Sequence, residues 1–146
     1  MLDDFSAAAL RGAIEGNIDA LCASFGAIRG AQIDDAPALL RCTTGLPSPM
    51  FNCVARTRLA PGEADAAIAA TLAHFRSRGV SMAFWWAGPA CTPPDLGARL
   101  RARGLVRSWR DSPGLALDLA TLPADPPLPA DFAIAPVEDA ATLEEW

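Results

Sequence analysis

Tyrosine is absent from this sequence, histidine occurs once, and the four cysteines follow no metal-binding pattern. Cys22, Cys42, Cys53 and Cys91 are not spaced as Cys-x-x-Cys and have no histidine pair nearby, which argues against a zinc site and against a redox dithiol. We expect free, mostly buried thiols, as in a reducing compartment. No serine or cysteine motif surrounds His74, so the pattern predicts a solvated surface histidine rather than a catalytic base.

Positive charge is also scarce. The 146 residues include 12 arginines and no lysine against 17 acidic residues, for a net charge of −5. Without a cluster of basic residues we predict no nucleic-acid partner. No stretch reaches the roughly 18 apolar residues of a membrane span, and Asp3 and Asp4 stand where a signal peptide is positive. The sequence therefore predicts a cytoplasmic protein, with no membrane partner, that interacts with small molecules or with protein.

The first part of the sequence predicts one helix followed by three strands. From Phe5 to Phe25 apolar residues recur at helical spacing, with interruptions at Gly12 and Gly16, so one long helix or two broken helices are predicted. Strand-like runs then follow at Ala27–Ile33, Ala38–Thr44 and Phe51–Leu59.

The next segments alternate helix and strand. A helix is predicted to open at Pro61, with acidic residues in its first turn, and to stop at Gly79. The almost unbroken apolar run Val80–Ala87 is typical of a strand buried on both faces. A short helix is predicted over 93–104, and two more strand candidates come after it, at Leu105–Trp109 and Leu115–Leu119.

Composition changes near residue 122. Residues 123–130 include four prolines in the seven positions from Pro123 to Pro129, which predicts a linker without helix or central strand. Beyond it, Phe132–Pro136 reads as a strand and Val137–Trp146 as the start of a helix. We therefore predict one domain over residues 1–122 and the beginning of a second, truncated domain over residues 131–146.

Two segments carry a resemblance to a known family. One runs from Gly79-Val80 into Phe84-Trp85-Trp86, and the other is the helix and glycine turn from Asp95 to Leu105. With the predicted element order, they resemble the GNAT acyltransferases, specifically the N-terminal half of two-domain GNAT proteins. The resemblance implies an α/β fold with a mixed, mostly antiparallel central sheet flanked by helices. It also implies that the fourth strand of the family's sheet and the helix after it cradle acetyl-CoA.

The family's phosphate loop reads Gln/Arg-x-x-Gly-x-Gly/Ala, in which glycines let backbone N–H groups surround a pyrophosphate at a helix N-terminus. Here the matching segment begins at Arg58, but the glycine positions hold Pro61, which has no N–H, and Glu63, which repels phosphate. Gly62 lies one residue out of register, and Asp65 adds another negative charge. Arg58 and Gly62 are therefore the residues left to contact a cofactor, in a degenerate loop.

The family's general acid, a tyrosine on the late helix, corresponds to Leu100 here. We therefore predict no catalytic residue, no metal and no cofactor, and a non-catalytic domain that pairs with a catalytic GNAT domain or self-associates. Two alternatives stay open. One is an acetyl-CoA-dependent N-acyltransferase that acts on a small amine, and the other is a small-ligand binding domain.

Candidate pocket residues come from the strand and loop beside the implied cleft. In a strand, Trp85 and Trp86 point to opposite faces, so at most one of them lines a pocket while the other enters the core. Asn52, which follows the proline-rich loop before the third strand, is the third candidate. Cys91 precedes a helix, but no base is identifiable beside it, so we expect no reactive role.

Overall fold

The computed structural model describes residues 4–107, 114–121, 129, 131–134 and 136–144. The chain divides into two units, Met1–Ala116 and Leu117–Trp146. The first unit contains the helices α1 (Ala7–Ser24), α2 (Ala64–Ser77) and α3 (Leu96–Ala102), and the strands β1 (Gln32–Ala36), β2 (Leu39–Thr43), β3 (Asn52–Ala55) and β4 (Phe84–Trp85). In the second unit, a 3-10 turn at Leu119–Thr121 and the helix α4 (Ala140–Glu144) are described.

The four strands form one mixed sheet in the order β1-β2-β3-β4. The first two pairings are antiparallel, and β3 pairs with β4 in parallel. The register places Cys42 opposite Ile33 on one side and opposite Cys53 on the other. This arrangement confirms the predicted α/β class.

Each face of the sheet packs against a different helix. On one side Cys22 and Phe25, at the end of α1 and just after it, pack against alternate residues of β2 and β3, namely Leu40, Cys42, Cys53 and Ala55. On the other side a second cluster joins α2 to α3 through Ile68, Leu96 and Leu100. The alternation of side chains along a strand sends Trp85 to the α2 side and Trp86 to the α1 side, as predicted.

Glycines end two of the helices where the sequence predicts. Gly79 has a φ of 71°, and the following N–H, of Val80, donates to the carbonyl of Phe75 at 2.9 Å. Gly104 has a φ of 88° and stands at the equivalent place after α3. Positive φ favours glycine because a Cβ atom is strained there.

Several predicted boundaries were wrong. The first strand begins at Gln32 because the preceding segment folds into a 3-10 turn, Phe25–Ala27, and then bends. The third strand ends at Ala55 because Arg56 takes a φ of 48°. The strand predicted at 80–87 is regular only at Phe84–Trp85. The helix predicted from Pro61 begins at Ala64, after a turn.

The late strands were also wrong within the described residues. Residues 105–107 and 115–118 form no strand, and Val106 and Leu115 are 85% and 88% exposed. The rest of the first of these predicted strands, residues 108–109, lies outside the described residues. Described residues 132–134 and 136 form no strand either, and the last predicted helix is regular only as α4. Most of the predicted linker, residues 123–128 and 130, lies outside the described residues.

Across the described ranges, none of the helices combines the length and apolar character that a bilayer crossing needs.

The packing of α2 generates a stability prediction. Ile68 is fully buried between α2 and α3. Ile68→Ala should lower the free energy of unfolding by about 2–5 kcal/mol, because it removes buried methyl groups and leaves a cavity. Urea denaturation followed by circular dichroism measures this. Val106→Ala, at an exposed site, is the control and should change stability by less than about 0.5 kcal/mol; equal effects of the two changes would contradict the assigned packing.

Candidate functional site

Arg58 is the first residue of the segment that matches the phosphate loop, and its side chain is already engaged. Its Nη2 atom lies 3.4 Å from the Glu15 carboxylate, and Nη1 donates to the carbonyl of Thr57 at 3.2 Å. The guanidinium therefore faces α1 rather than the start of α2. Glu15, on α1, is half-buried and supplies this contact.

The turn before α2 directs its backbone donors inward. The N–H groups of Glu63 and Ala64 both donate to the carbonyl of Ala60, at 3.0 and 3.1 Å. Pro61, which follows Ala60, has no N–H. Gly62 is exposed, and a Cβ atom built there meets nothing within 4 Å, so no close approach of a neighbour explains this glycine. Two of the N–H groups at this turn are therefore used within it and do not point to a ligand.

Arginines near the start of α2 are neutralised by acids. Arg99 of α3 contacts Asp65 at 2.6 Å and Asp95 at 3.0 Å, and Arg103 lies 3.8 Å from Asp65. The hydrogen bonds and charge of Asp95, together with Asp65, raise the pKa of Arg99. A phosphate entering here would have to compete with two carboxylates that already occupy the arginine.

The chain after β4 runs alongside the chain after β3. Thr92 donates its N–H to the carbonyl of Thr57 at 3.0 Å and accepts from the N–H of Leu59 at 3.2 Å. Glu15 closes the same region from α1, because its Oε1 atom accepts from the N–H of Ala90 at 2.8 Å. The facing backbone groups of Thr57, Leu59, Ala90 and Thr92 are therefore paired within the protein.

Asn52 is a loop-stabilising residue in this structure. Its Oδ1 atom accepts from the N–H groups of Thr44 and Gly45, and its Nδ2 atom donates to the carbonyls of Leu46 and Ser48, at 2.8–3.2 Å. These four bonds use the whole capacity of the side-chain amide, which leaves no donor or acceptor for a ligand.

The two tryptophans and Cys91 belong to the packing on either side of β4. Trp85 packs beside the α2 cluster and donates its Nε1–H to the hydroxyl of Thr57 at 2.9 Å. Trp86 packs on the α1 side, with its ring edge-on to Phe84. The thiol of Cys91 lies 3.7 Å from the carbonyl of Trp86. The structure does not bring Asn52, Trp85 and Trp86 together in one pocket, since the tryptophans lie on opposite faces of the sheet.

A shallow cavity of about 370 Å³ lies at the start of β1, lined by Gln32, Ile33, Asp34, Arg41 and His74. His74 is not the solvated residue that the sequence predicts: it is half-buried, and its Nε2 atom is 3.0 Å from the hydroxyl of Thr43. The signal that was missed is its position on α2, next to the buried stripe of Ile68, Thr71 and Phe75.

The charges around His74 favour its neutral form. Burial lowers the pKa of His74, and the positive charges of Arg41 and Arg78 lower it further, while Asp34 opposes them. Asp34 and Arg41 also form an ion pair at 2.6 Å. The Nε atom of Arg41 is buried and has no hydrogen-bond partner.

The described residues hold no group of three or more histidine, cysteine or acidic side chains arranged for a metal ion. Leu100, which matches the position of the family's tyrosine, is buried against Ile68 and Leu96. The fold and these sites define a mixed α/β domain whose polar groups are largely paired with one another. No protein-family model, no curated protein and no solved structure matches this chain.

The role of Asn52 in stabilising the 44–48 loop can be tested by mutation. Asn52→Ala should lower the free energy of unfolding by about 2–3 kcal/mol, because backbone groups of the 44–48 loop lose their partners. Thermal or urea denaturation measures the change. Ser48→Ala is the matched control, since Ser48 contributes its backbone carbonyl, and it should stay within about 0.5 kcal/mol of the parent. If Asn52→Ala left the free energy of unfolding unchanged, the loop would keep its conformation without the side-chain amide.

His74 provides a pH test. Its folded-state pKa lies below the ordinary value of 6.5, so the unfolded chain takes up its proton first as pH falls. The contribution of neutral His74 to stability should be complete above pH 6.5 and should be lost as pH falls from there through the lowered pKa. The chain has one histidine, so the ring resonances of His74 can be followed by NMR during a pH titration without a separate assignment. His74→Gln should remove this step from the stability profile, and a midpoint at or above 6.5 would show that Asp34 outweighs burial.

Proposed function

We propose that this chain is a GNAT-like domain without acyl-CoA binding, the non-catalytic N-terminal half of a two-domain N-acetyltransferase. The order helix, three strands, helix, strand, helix over Ala7–Ala102 supports the proposal, because the resemblance implies the same order. β3 and β4 are connected through α2 and pair in parallel. This arrangement agrees with a cofactor cleft located beside β4.

The turn at residues 60–64 is the observation that carries the proposal. A pyrophosphate needs free N–H groups and an uncompensated helix dipole. Here the N–H groups of Glu63 and Ala64 donate to the carbonyl of Ala60 instead. The negative charges of Glu63 and Asp65 compensate the positive end of the helix dipole. The two positions where the resemblance implies glycine thus lie in a turn that uses two of its own N–H groups internally.

Two further features support the absence of chemistry. Thr92 pairs with Thr57 and Leu59, so the facing backbone groups of these two segments are already used within the protein. Leu100 is a core residue, so the position that carries a general acid in the family faces packing rather than a cleft. Neither feature favours the alternative of an active N-acyltransferase.

The partner that we propose is a catalytic GNAT domain. Several large apolar side chains of the first unit are exposed, including Phe5, Met82 and Val106. We propose that these side chains contribute to the contact with the catalytic half. The role of this half is then to support and position the catalytic half.

Calorimetric titration of acetyl-CoA into the purified chain tests the proposal. We expect no binding tighter than about 1 mM. Pro61→Gly combined with Glu63→Gly should improve the affinity about tenfold or more, because an N–H donor is added and a repelling charge is removed. Glu63→Gln, which removes only the charge, is the matched control and should recover less.

Micromolar affinity in the unaltered chain would contradict the proposed function and would favour the active N-acyltransferase. If the double change gives no gain, the block lies in the Thr57–Thr92 pairing instead of in the turn. Near-identical gains from Glu63→Gln and from the double change would show that charge, not backbone donors, limits binding.

A further inference from the structure

Two buried thiols outside the candidate site face each other on the α1 side of the sheet. Cys22 lies near the end of α1 and Cys53 lies in β3, and their Sγ atoms are 3.1 Å apart. Cys22 is 1% exposed and Cys53 is 0% exposed. A disulfide bond is about 2.05 Å long, so the two sulfurs need to approach by only about 1 Å.

We propose that Cys22 and Cys53 are a modification site, which a small oxidant such as hydrogen peroxide converts to an intramolecular disulfide and a thiol reductant restores. The pair is formed by the tertiary structure, since the two residues are 31 positions apart in the chain. The cluster around them is apolar, with Phe25 and Leu40 among its members, and a disulfide is compatible with such surroundings.

The hydrogen bond between the thiols sets the order of the chemistry. Cys53 donates its S–H to the Sγ atom of Cys22. This bond lowers the pKa of Cys22, while the same bond and burial raise the pKa of Cys53. Of the two thiols, Cys22 therefore ionises more readily and is the attacking group, although burial and Asp19 oppose its ionisation, and Cys53 is the thiol that resolves the intermediate.

The reaction balances with one equivalent of peroxide. The Cys22 thiolate attacks one peroxide oxygen and the O–O bond breaks, which gives a Cys22 sulfenic acid and hydroxide. The hydroxide takes up the proton that Cys22 released and becomes water. The Cys53 sulfur then attacks the sulfenic sulfur, an S–S bond forms, the S–O bond breaks, and the oxygen leaves as a second water carrying the Cys53 proton. Two thiols are oxidised and one peroxide is reduced to two waters.

The other two cysteines are internal controls. Cys42 stands opposite Cys53 in the β2–β3 register and its thiol also interacts with that of Cys53, so it is the competing partner that the test has to distinguish. Its Sγ atom lies 3.5 Å from the carbonyl of Phe51, and burial raises its pKa to about 11. Cys91 packs beside the other cluster, on the α2 side. Both should remain thiols after oxidation.

The disulfide would link α1 covalently to β3. The same helix carries Glu15 and Asp19, which contact Arg58 and Arg56. Oxidation should therefore stabilise the packing of α1 together with these ion pairs, and it should raise the melting temperature because the crosslink restricts the unfolded chain.

The test treats the purified full chain with hydrogen peroxide, alkylates it in denaturant and digests it with trypsin. Cleavage at arginine places Cys22 in the peptide Gly12–Arg29 and both Cys42 and Cys53 in the peptide Cys42–Arg56. We expect these two peptides to become crosslinked, with fragmentation placing the link at Cys53, and Cys42 to carry the alkyl group. Dithiothreitol should reverse both the crosslink and the rise in melting temperature.

Matched variants sharpen the result. Cys42→Ser should still form the crosslink, and Cys22→Ser should not. Four alkylated cysteines after peroxide treatment, a loop within Cys42–Arg56, or a link between two chains would each overturn the proposal. The mapping on the unaltered chain decides it even if a serine variant fails to fold.

Discussion

Every residue of β3 is buried, and this constraint organises the rest of the first unit. A strand buried on both faces and paired along both edges has to satisfy its polar groups inside the protein. The backbone does so through β2 and β4, and Asn52 does so through its four bonds to the 44–48 loop. Cys53 and Ala55 are small, so α1 packs closely against the strand.

The end of β3 determines where the polar contacts lie. Arg56 turns the chain with a φ of 48°, and its guanidinium contacts Asp19 at 3.0 Å and Asp35 at 2.6 Å. The hydrogen bonds that Arg56 donates to these two carboxylates raise its pKa. Beyond this point the chain pairs with Thr92 and enters the turn before α2. The region implied for cofactor binding is thus filled by contacts between α1, the end of β3 and the segment after β4.

Local signals predicted the regular elements well where one face was strongly patterned. The Pro61–Gly79 helix and the short helix before Gly104 are present, because a buried apolar stripe and a glycine stop agree in each. The alternating apolar residues at 105–109 and 115–119 predicted strands that the described residues do not form. A strand needs a neighbour to pair with its backbone, and an apolar pattern does not supply one.

The residue types of the candidate site could be read from the sequence, whereas the contacts between them could not. The sequence alone shows that Pro61 has no N–H and that Glu63 is negatively charged, which are both unfavourable for holding a phosphate. The contacts of Glu15 with Arg58 and Ala90, of His74 with Thr43, and of Cys22 with Cys53 join residues 31 to 75 positions apart. The sequence by itself determined the α/β class, the helix stops and the missing N–H at Pro61, since these follow from local residue chemistry. The tertiary structure decided which charges and thiols meet, because only packing brings distant side chains within hydrogen-bond distance.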